Sequence, residues 1–328
     1  MPKKKVIIAG VGHWSKKMHL PAMLSLVESN KLEVVGVCDL NIAEAIPYAN
    51  QLNCNLVLNN LDELIDQTKP DGAVLLVPPK VMPVMIQKCL NHHLKFLCEK
   101  PPAPDAATHK QLLEMSKNLP HIVGYNRRFS PFINQALKWS ENKRIDSINC
   151  DFSRVSRIDE DFSTTFIHGI DAVIYLSRSQ PQKIYAEIQY KDKYENIFLF
   201  GNMQNECSFF IRIMPNTASS QERYQLRGDS LSIDISFSQG ISIDSPGYAE
   251  LHQKDTIIEH KSPIDYQLKH DDFIGLGGFT FEYQAFYDLL NGANITPSTL
   301  ASTYSSQVVR DQLCFALSKK ETKIEMTL

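Results

Sequence analysis

The chain of 328 residues predicts an α/β protein in two parts: a doubly wound parallel sheet first, then an α+β domain with a large open, mostly antiparallel sheet. Three observations predict it. Short apolar runs alternate with helix-period segments over the first 125 residues, the pattern of repeated βαβ units. A glycine-containing turn follows the first of those runs directly. From about residue 147 the texture changes to longer strand-like stretches interrupted by one clear helix. The expected division is residues 1–126 and residues 127–328.

In the first part, residues 6–9, 33–38, 73–77, 96–98 and 122–124 read as strands, and their continuous apolar character implies burial on both faces. Helical patterns fill the intervals at 16–28, 43–51, 61–67, 81–91 and 106–117, with Asp105 placed to cap the last. In the second part, strands are expected at 184–189, 197–200, 208–213, 224–226 and 231–237, and a helix at 166–177. Helical patterns at 281–290 and 300–317 are expected to pack back across the sheet or the domain junction. The stretch 275–278, after Asp271 and Asp272, reads as a mobile loop near the substrate.

Composition narrows the function. With 43% hydrophobic and 22% charged residues the chain is ordinary globular material, long enough for two cores. A formal charge of -3 leaves no excess of cations for a phosphate backbone, so nucleic acid is not an expected partner. No apolar run approaches the ~20 residues of a membrane span. His13, Trp14 and Lys16 cut short the run that follows Lys3, Lys4 and Lys5, so no signal segment is expected there and the protein is placed in the cytoplasm. Seven cysteines without a C-x-x-C pair read as reduced thiols, with Cys38 and Cys98 buried at strand ends. No metal site is expected: His92 and His93, adjacent on a helix, cannot converge on one ion. The sequon at Asn294, Ile295 and Thr296 is expected to be idle.

The first strand runs into Gly10, Val11, Gly12, His13, Trp14 and Ser15, a G-x-G-x-x-G pattern with Ser at the third position, and then into a helix. The first glycine permits the turn, the second lets backbone approach a pyrophosphate, and the helix start presents N–H groups to the anion. Asp39 stands at the end of the second strand, where a carboxylate accepts hydrogen bonds from a ribose diol and repels a 2′-phosphate. Leu40 and Asn41 supply no cation, so NAD(H) is favoured over NADP(H) in a Rossmann domain.

After the fifth strand stand Glu99, Lys100 and Pro101, then Asn126, Arg127 and Arg128, then His168, Gly169, Ile170 and Asp171. Strand ends of an open parallel sheet face the ligand crevice, which places Lys100 toward the nicotinamide. Through its glycine turn, its E-K-P triplet and its N-R-R segment, the chain resembles the Gfo/Idh/MocA family over nearly its whole length. The resemblance implies that Lys100 is catalytic, that Glu99 lies near the nicotinamide ribose, and that His168 of the H-x-x-D helix is the acid/base. It also implies that Asn126 and Arg127 lie beside the substrate pocket, together with Thr164 and Asp171. Arg227, Gly228 and Asp229 resemble a turn of the family's second sheet, and Phe281 and Glu282 its late helix.

The chain departs from the pattern at three places. Thr164 stands where the family often carries Asp, one helical turn before the histidine. Pro78, Pro79 and Lys80 replace the usual T-P-N, so Pro78 meets the cofactor's nicotinamide half differently, and Ser15 replaces a glycine or alanine. The implied activity is hydride transfer at a secondary alcohol or ketone of a sugar, inositol or nucleotide-sugar-like molecule. Two alternatives are an NAD-binding sensor that has lost the chemistry and an imine or enone reductase. An open sheet face invites self-association, so a homodimer or homotetramer through the C-terminal sheet is expected.

Overall fold

Continuous apolar runs became central strands, and alternating ones became strands with a single buried face. The structure, a computed structural model, describes residues 3–158, 162–237, 247–270, 272–293 and 296–328. The chain forms two units: Met1–Asn126 with Gly278–Tyr304, and Arg127–Gly277 with Ser305–Leu328.

The first unit carries a six-stranded sheet of β1 (Lys4–Ala9), β2 (Leu32–Cys38), β3 (Val57–Leu58), β4 (Gly72–Leu75), β5 (Lys95–Glu99) and β6 (His121–Gly124). The order is β3-β2-β1-β4-β5-β6 and every pairing is parallel, so the doubly wound expectation holds. The two-residue β3 is too short to make an apolar run. Helices Ile42–Gln51, Leu61–Thr68 and Ala106–Met115 begin at side-chain caps, and Asp105 accepts the Thr108 N–H at 2.7 Å as the sequence requires. The expected helix from residue 16 instead opens with a π-helical turn, Ser15–His19, before the α-helix Leu20–Glu28.

The single division after residue 126 needs correction. Helix Phe279–Leu290 buries Phe279, Tyr283, Phe286 and Leu290, an i, i+4, i+7, i+11 stripe, and belongs with the first unit, where it packs on helix Leu20–Glu28 and on β5 and β6. The chain therefore leaves the first unit and returns to it.

Among the described residues the second unit carries nine strands: β7 (Ser147–Ser153), β8 (Pro181–Tyr190), β9 (Glu195–Met203), β10 (Ser208–Met214), β11 (Gln221–Gly228), β12 (Leu231–Ser236), β13 (Tyr248–Gln253), β14 (Thr256–Lys261) and β15 (Lys323–Thr327). Their order is β14-β13-β12-β11-β7-β10-β9-β8-β15, antiparallel except where β7 meets β10. One face buries Ile148, Cys150 and Phe152 together with Ile211, Tyr224 and Ile233, against Phe166, Ile170 and Val173 of helix Ser163–Ser177. Helix Pro131–Trp139 joins this core, so more than one helix serves the unit. Asp272 caps a short helix, Phe273–Leu276, in place of the expected loop, whereas Asp271, Asn294 and Ile295 lie outside the described residues. Among the described residues no helix is long and apolar enough to cross a membrane.

Candidate active site

The carboxyl ends of the central strands of the first unit lie in register, Ala9 beside Leu75, Leu75 beside Cys98 and Glu99 beside Gly124. β1 and β4 are neighbours whose successors wind in opposite directions, which makes their ends the topological switch point. The residues following these strands therefore share one edge.

Gly10 adopts φ +98°, and a Cβ there would stand 2.5 Å from the Leu76 carbonyl oxygen, so the turn accepts glycine alone. Gly12 is the opposite case: a Cβ would meet nothing within 4 Å, which leaves its face open for a pyrophosphate. Gly12, His13 and Trp14 are exposed on this turn, and Trp14 lies edge-on to Phe279. Ser15 is buried and donates to the Tyr48 hydroxyl at 2.9 Å, so the third position of the motif serves helix packing. Asp39 accepts the Val11 N–H through Oδ2 and the Asn41 N–H through Oδ1, both at 2.8 Å. The carboxylate is thereby aimed along the glycine turn, and Leu40 beside it is 89% exposed. An open glycine, a helix start and an oriented carboxylate fit a dinucleotide's pyrophosphate and ribose. After β4, Pro78 accepts the Val81 and Met82 N–H groups and starts the next helix.

At the end of β5, Glu99 is buried, and the next residue, Lys100, half-buried, precedes a cis peptide to Pro101. The Glu99 carboxylate accepts the His19 Nε2–H at 2.8 Å on Oε1 and the Lys100 N–H at 2.7 Å on Oε2. His19 Nδ1 meets the Tyr283 hydroxyl at 3.0 Å. Burial pushes the Glu99 carboxyl up, but the His19 hydrogen bond, its charge and the Lys100 charge outweigh it and hold the group below its ordinary range. Sequence reasoning missed His19 and Tyr283. The available signal was a histidine on the buried face of an apolar helix, between Met18 and Leu20.

Where the second unit begins, Arg127 and Arg128 of the 3-10 turn Asn126–Phe129 enter buried ion pairs. Arg127 donates to Glu222 through Nε at 2.6 Å and through Nη2 at 2.9 Å, and its guanidinium faces Phe237 and Phe273. Arg154 Nη2 donates to the same carboxylate at 2.7 Å, and the Tyr224 hydroxyl at 2.9 Å. Burial raises the Glu222 carboxyl, yet the two guanidiniums overcome it and hold it at about 2. Burial works against both arginines as well; Glu222 leaves Arg127 raised, whereas Arg154, repelled by Arg127, stays lowered. Arg128 grips Asp171 at 2.7 and 2.8 Å, and Ser306 donates to Asp171 at 2.7 Å. Arg127 and Asp171, both implied to line the substrate pocket, are thus engaged by buried protein partners. His168 lies buried on helix Ser163–Ser177, one turn after the half-buried Thr164, and Asn126 is buried at the end of the first unit's leading segment. Cys38 and Cys98 are buried unpaired thiols, as expected.

Residues 4–127 match the model of an oxidoreductase family with an NAD-binding Rossmann fold. An inositol 2-dehydrogenase of Corynebacterium glutamicum is 32% identical over 112 residues, 33% of this chain and 33% of that protein. The chain spans 40% or less of the length of the curated relatives it matches. A dehydrogenase from Chromobacterium violaceum superposes with a TM-score of 0.83 at 16% identity, over 98% of this chain and 97% of that one. The transcriptional regulator Gal80p of Kluyveromyces lactis superposes with a TM-score of 0.78 at 17% identity, over 98% and 94%. At such identities the superpositions establish the shared fold.

Proposed function

Because residues 4–127 match the model of the Gfo/Idh/MocA oxidoreductase family, we propose that the chain transfers hydride between NAD(H) and a secondary alcohol or ketone of a sugar, inositol or nucleotide-sugar-like substrate. One observation carries the reading: the open glycine turn, the oriented Asp39 and the Glu99–Lys100 pair follow strands whose carboxyl ends share one edge. When bound, the nicotinamide supplies the hydride donor or acceptor. Gly10 and Gly12 cradle the pyrophosphate, with His13 and Trp14 on the open side of the turn and Ser15 fixing the helix behind it. Asp39 selects the free ribose diol over a 2′-phosphate. Pro78 and Glu99 border the nicotinamide half. Lys100 polarises the reacting oxygen, and His168 exchanges its proton, a task for which imidazole needs little tuning. Asn126 of the first unit and Arg127, Thr164 and Asp171 of the second are the proposed substrate-binding residues, with Arg127 and Asp171 held by their buried ion pairs.

The open face of the second sheet supports self-association. Tyr185, Phe200 and Phe210 form a row across β8, β9 and β10, with Phe200 46% and Phe210 40% exposed. A second copy placed face to face covers this row and makes a homodimer or homotetramer. Buried unpaired thiols support a cytoplasmic setting.

Titration with NADH and NADPH, followed by nicotinamide fluorescence across a panel of sugars, inositols and nucleotide sugars, tests the reading. NADH-selective binding with fluorescence loss on one carbonyl substrate, abolished in Lys100→Met while NADH affinity stays within about threefold, supports it. Wild-type turnover in Lys100→Met rejects the role of Lys100. A second reading, a regulatory NAD-binding protein, draws on Thr164 and on the fold shared with Gal80p, and it predicts NADH binding without turnover.

A further inference from the structure

Glu282 is the strangest acid in the first unit. It lies on helix Phe279–Leu290 with no solvent exposure, and neither carboxyl oxygen has a hydrogen-bond partner among the described residues. Its position is defined by β6: a Cβ on Gly124 would stand 3.4 Å from Glu282 Oε1 and equally 3.4 Å from the Glu99 Cα. Glu282 Oε1 and the backbone of Glu99, the last residue of β5, therefore flank the same point beside Gly124, and both acids are buried. Two carboxylates so placed cannot both ionise, because each charge raises the cost of the other in a medium that solvates neither. Glu99 has two N–H donors, from His19 and Lys100, and Glu282 has none, which decides where the single charge resides. The other titratable groups beside them, the Cys98 thiol and the Tyr283 phenol, are both pushed well up by burial and remain neutral. Burial, then the Glu99 charge, pushes the Glu282 carboxyl well above its ordinary value in the same way.

We propose that His19 and Glu282 are positioning residues for the Glu99–Lys100 pair: His19 holds the Glu99 carboxylate by one oxygen, and Glu282 stays a neutral acid, so that the two acids carry one negative charge, beside Lys100. The π-helical turn is what delivers His19, since its closing bond, Leu20 N–H to Ser15 O, spans five residues and His19 completes it fully buried. A carboxylate only accepts, so His19 Nε2 carries a proton and Tyr283 supports the ring from Nδ1. The inference rests on the reading of Lys100 as the group that meets the substrate oxygen, and it adds what sets the charge of that amine.

Two measurements on the full chain test it without any substrate. In the first, unfolding equilibria of wild type and Glu282→Gln are compared from pH 4 to pH 8. An acid forced to stay neutral in the folded state favours unfolding once pH exceeds its ordinary 4.5, so Glu282→Gln gains on wild type by up to tenfold in the unfolding constant per pH unit. A pH-independent difference overturns the neutral-acid assignment. In the second, the Lys100 amine is titrated by the pH dependence of its acetylation with acetic anhydride, read by peptide mass spectrometry. Glu99→Gln and His19→Phe are expected to lower its midpoint together, by about one pH unit. His19→Gln, which keeps an N–H toward Glu99, is expected to restore the wild-type midpoint; far-UV circular dichroism and a cooperative urea transition report that each variant is folded. A midpoint unchanged in His19→Phe but lowered in Glu99→Gln overturns the role of His19. The separate turnover test of Lys100→Met distinguishes a failure of the function reading, because the acetylation midpoint does not depend on catalysis.

Discussion

Glu222→Gln is the sharpest perturbation of the second unit. The substitution keeps volume and one acceptor but removes the charge that two buried guanidiniums share. Its magnitude follows from the displaced carboxyl: from 4.5 to about 2 is roughly 2.5 pH units, or about 3 kcal/mol at 1.36 kcal/mol per unit. The loss measured on breaking buried ion pairs elsewhere, about 3–5 kcal/mol, has the same size. A depressed carboxyl contributes stability that is complete above its unfolded value of 4.5 and is lost as pH falls through the folded value of about 2. The gap between wild type and variant should therefore stay constant from pH 8 to about 5, then narrow and approach closure near 2. Trp14 and Trp139 are the two tryptophans, and Trp139 is buried in the second unit, so urea unfolding in a Trp14→Phe background reports that unit through Trp139 fluorescence. At the thermal midpoint a loss of about 3 kcal/mol corresponds to a fall of about 6–12 °C. A gap below about 0.5 kcal/mol at pH 7, or one that does not change between pH 7 and pH 3, would refute the argument that Glu222 holds the two arginines by charge.

Two further outcomes are expected from the proposed function. Asp39→Asn should raise the ratio of NADPH to NADH affinity by about tenfold, or about 1.4 kcal/mol, in a fluorescence titration; an unchanged ratio would remove Asp39 from cofactor selection. Phe200→Arg should convert an oligomer to monomer in sedimentation at micromolar concentration, since it places a cation in the aromatic row, whereas an unaltered oligomer would move the interface elsewhere.

Much of the first unit was legible because its signals are local. The glycine turn, the Asp105 cap and the continuous strand runs each lie within a few residues, and each appears where the sequence places it. Less of the second unit was. β14 is exposed along almost its whole length and carries no alternation to read, and β15 is a late strand that pairs with β8, more than a hundred residues earlier. Helix Phe279–Leu290 was legible as a helix, yet nothing in its periodicity says which sheet receives its apolar stripe.

By itself the sequence determined the alternation of the first unit's main strands and helices and the dinucleotide turn, because hydrophobic period and glycine conformation act over one or two turns of chain. Only the tertiary structure decided the charge arrangement. His19 meets Glu99 across 80 positions and Tyr283 across 264, and Arg127 meets Glu222 across 95. Whether a buried carboxyl is paired, as Glu99 and Glu222 are, or left neutral, as Glu282 is proposed to be, depends on donors delivered by distant segments. Such donors come within reach only when the burial that makes them necessary has taken place.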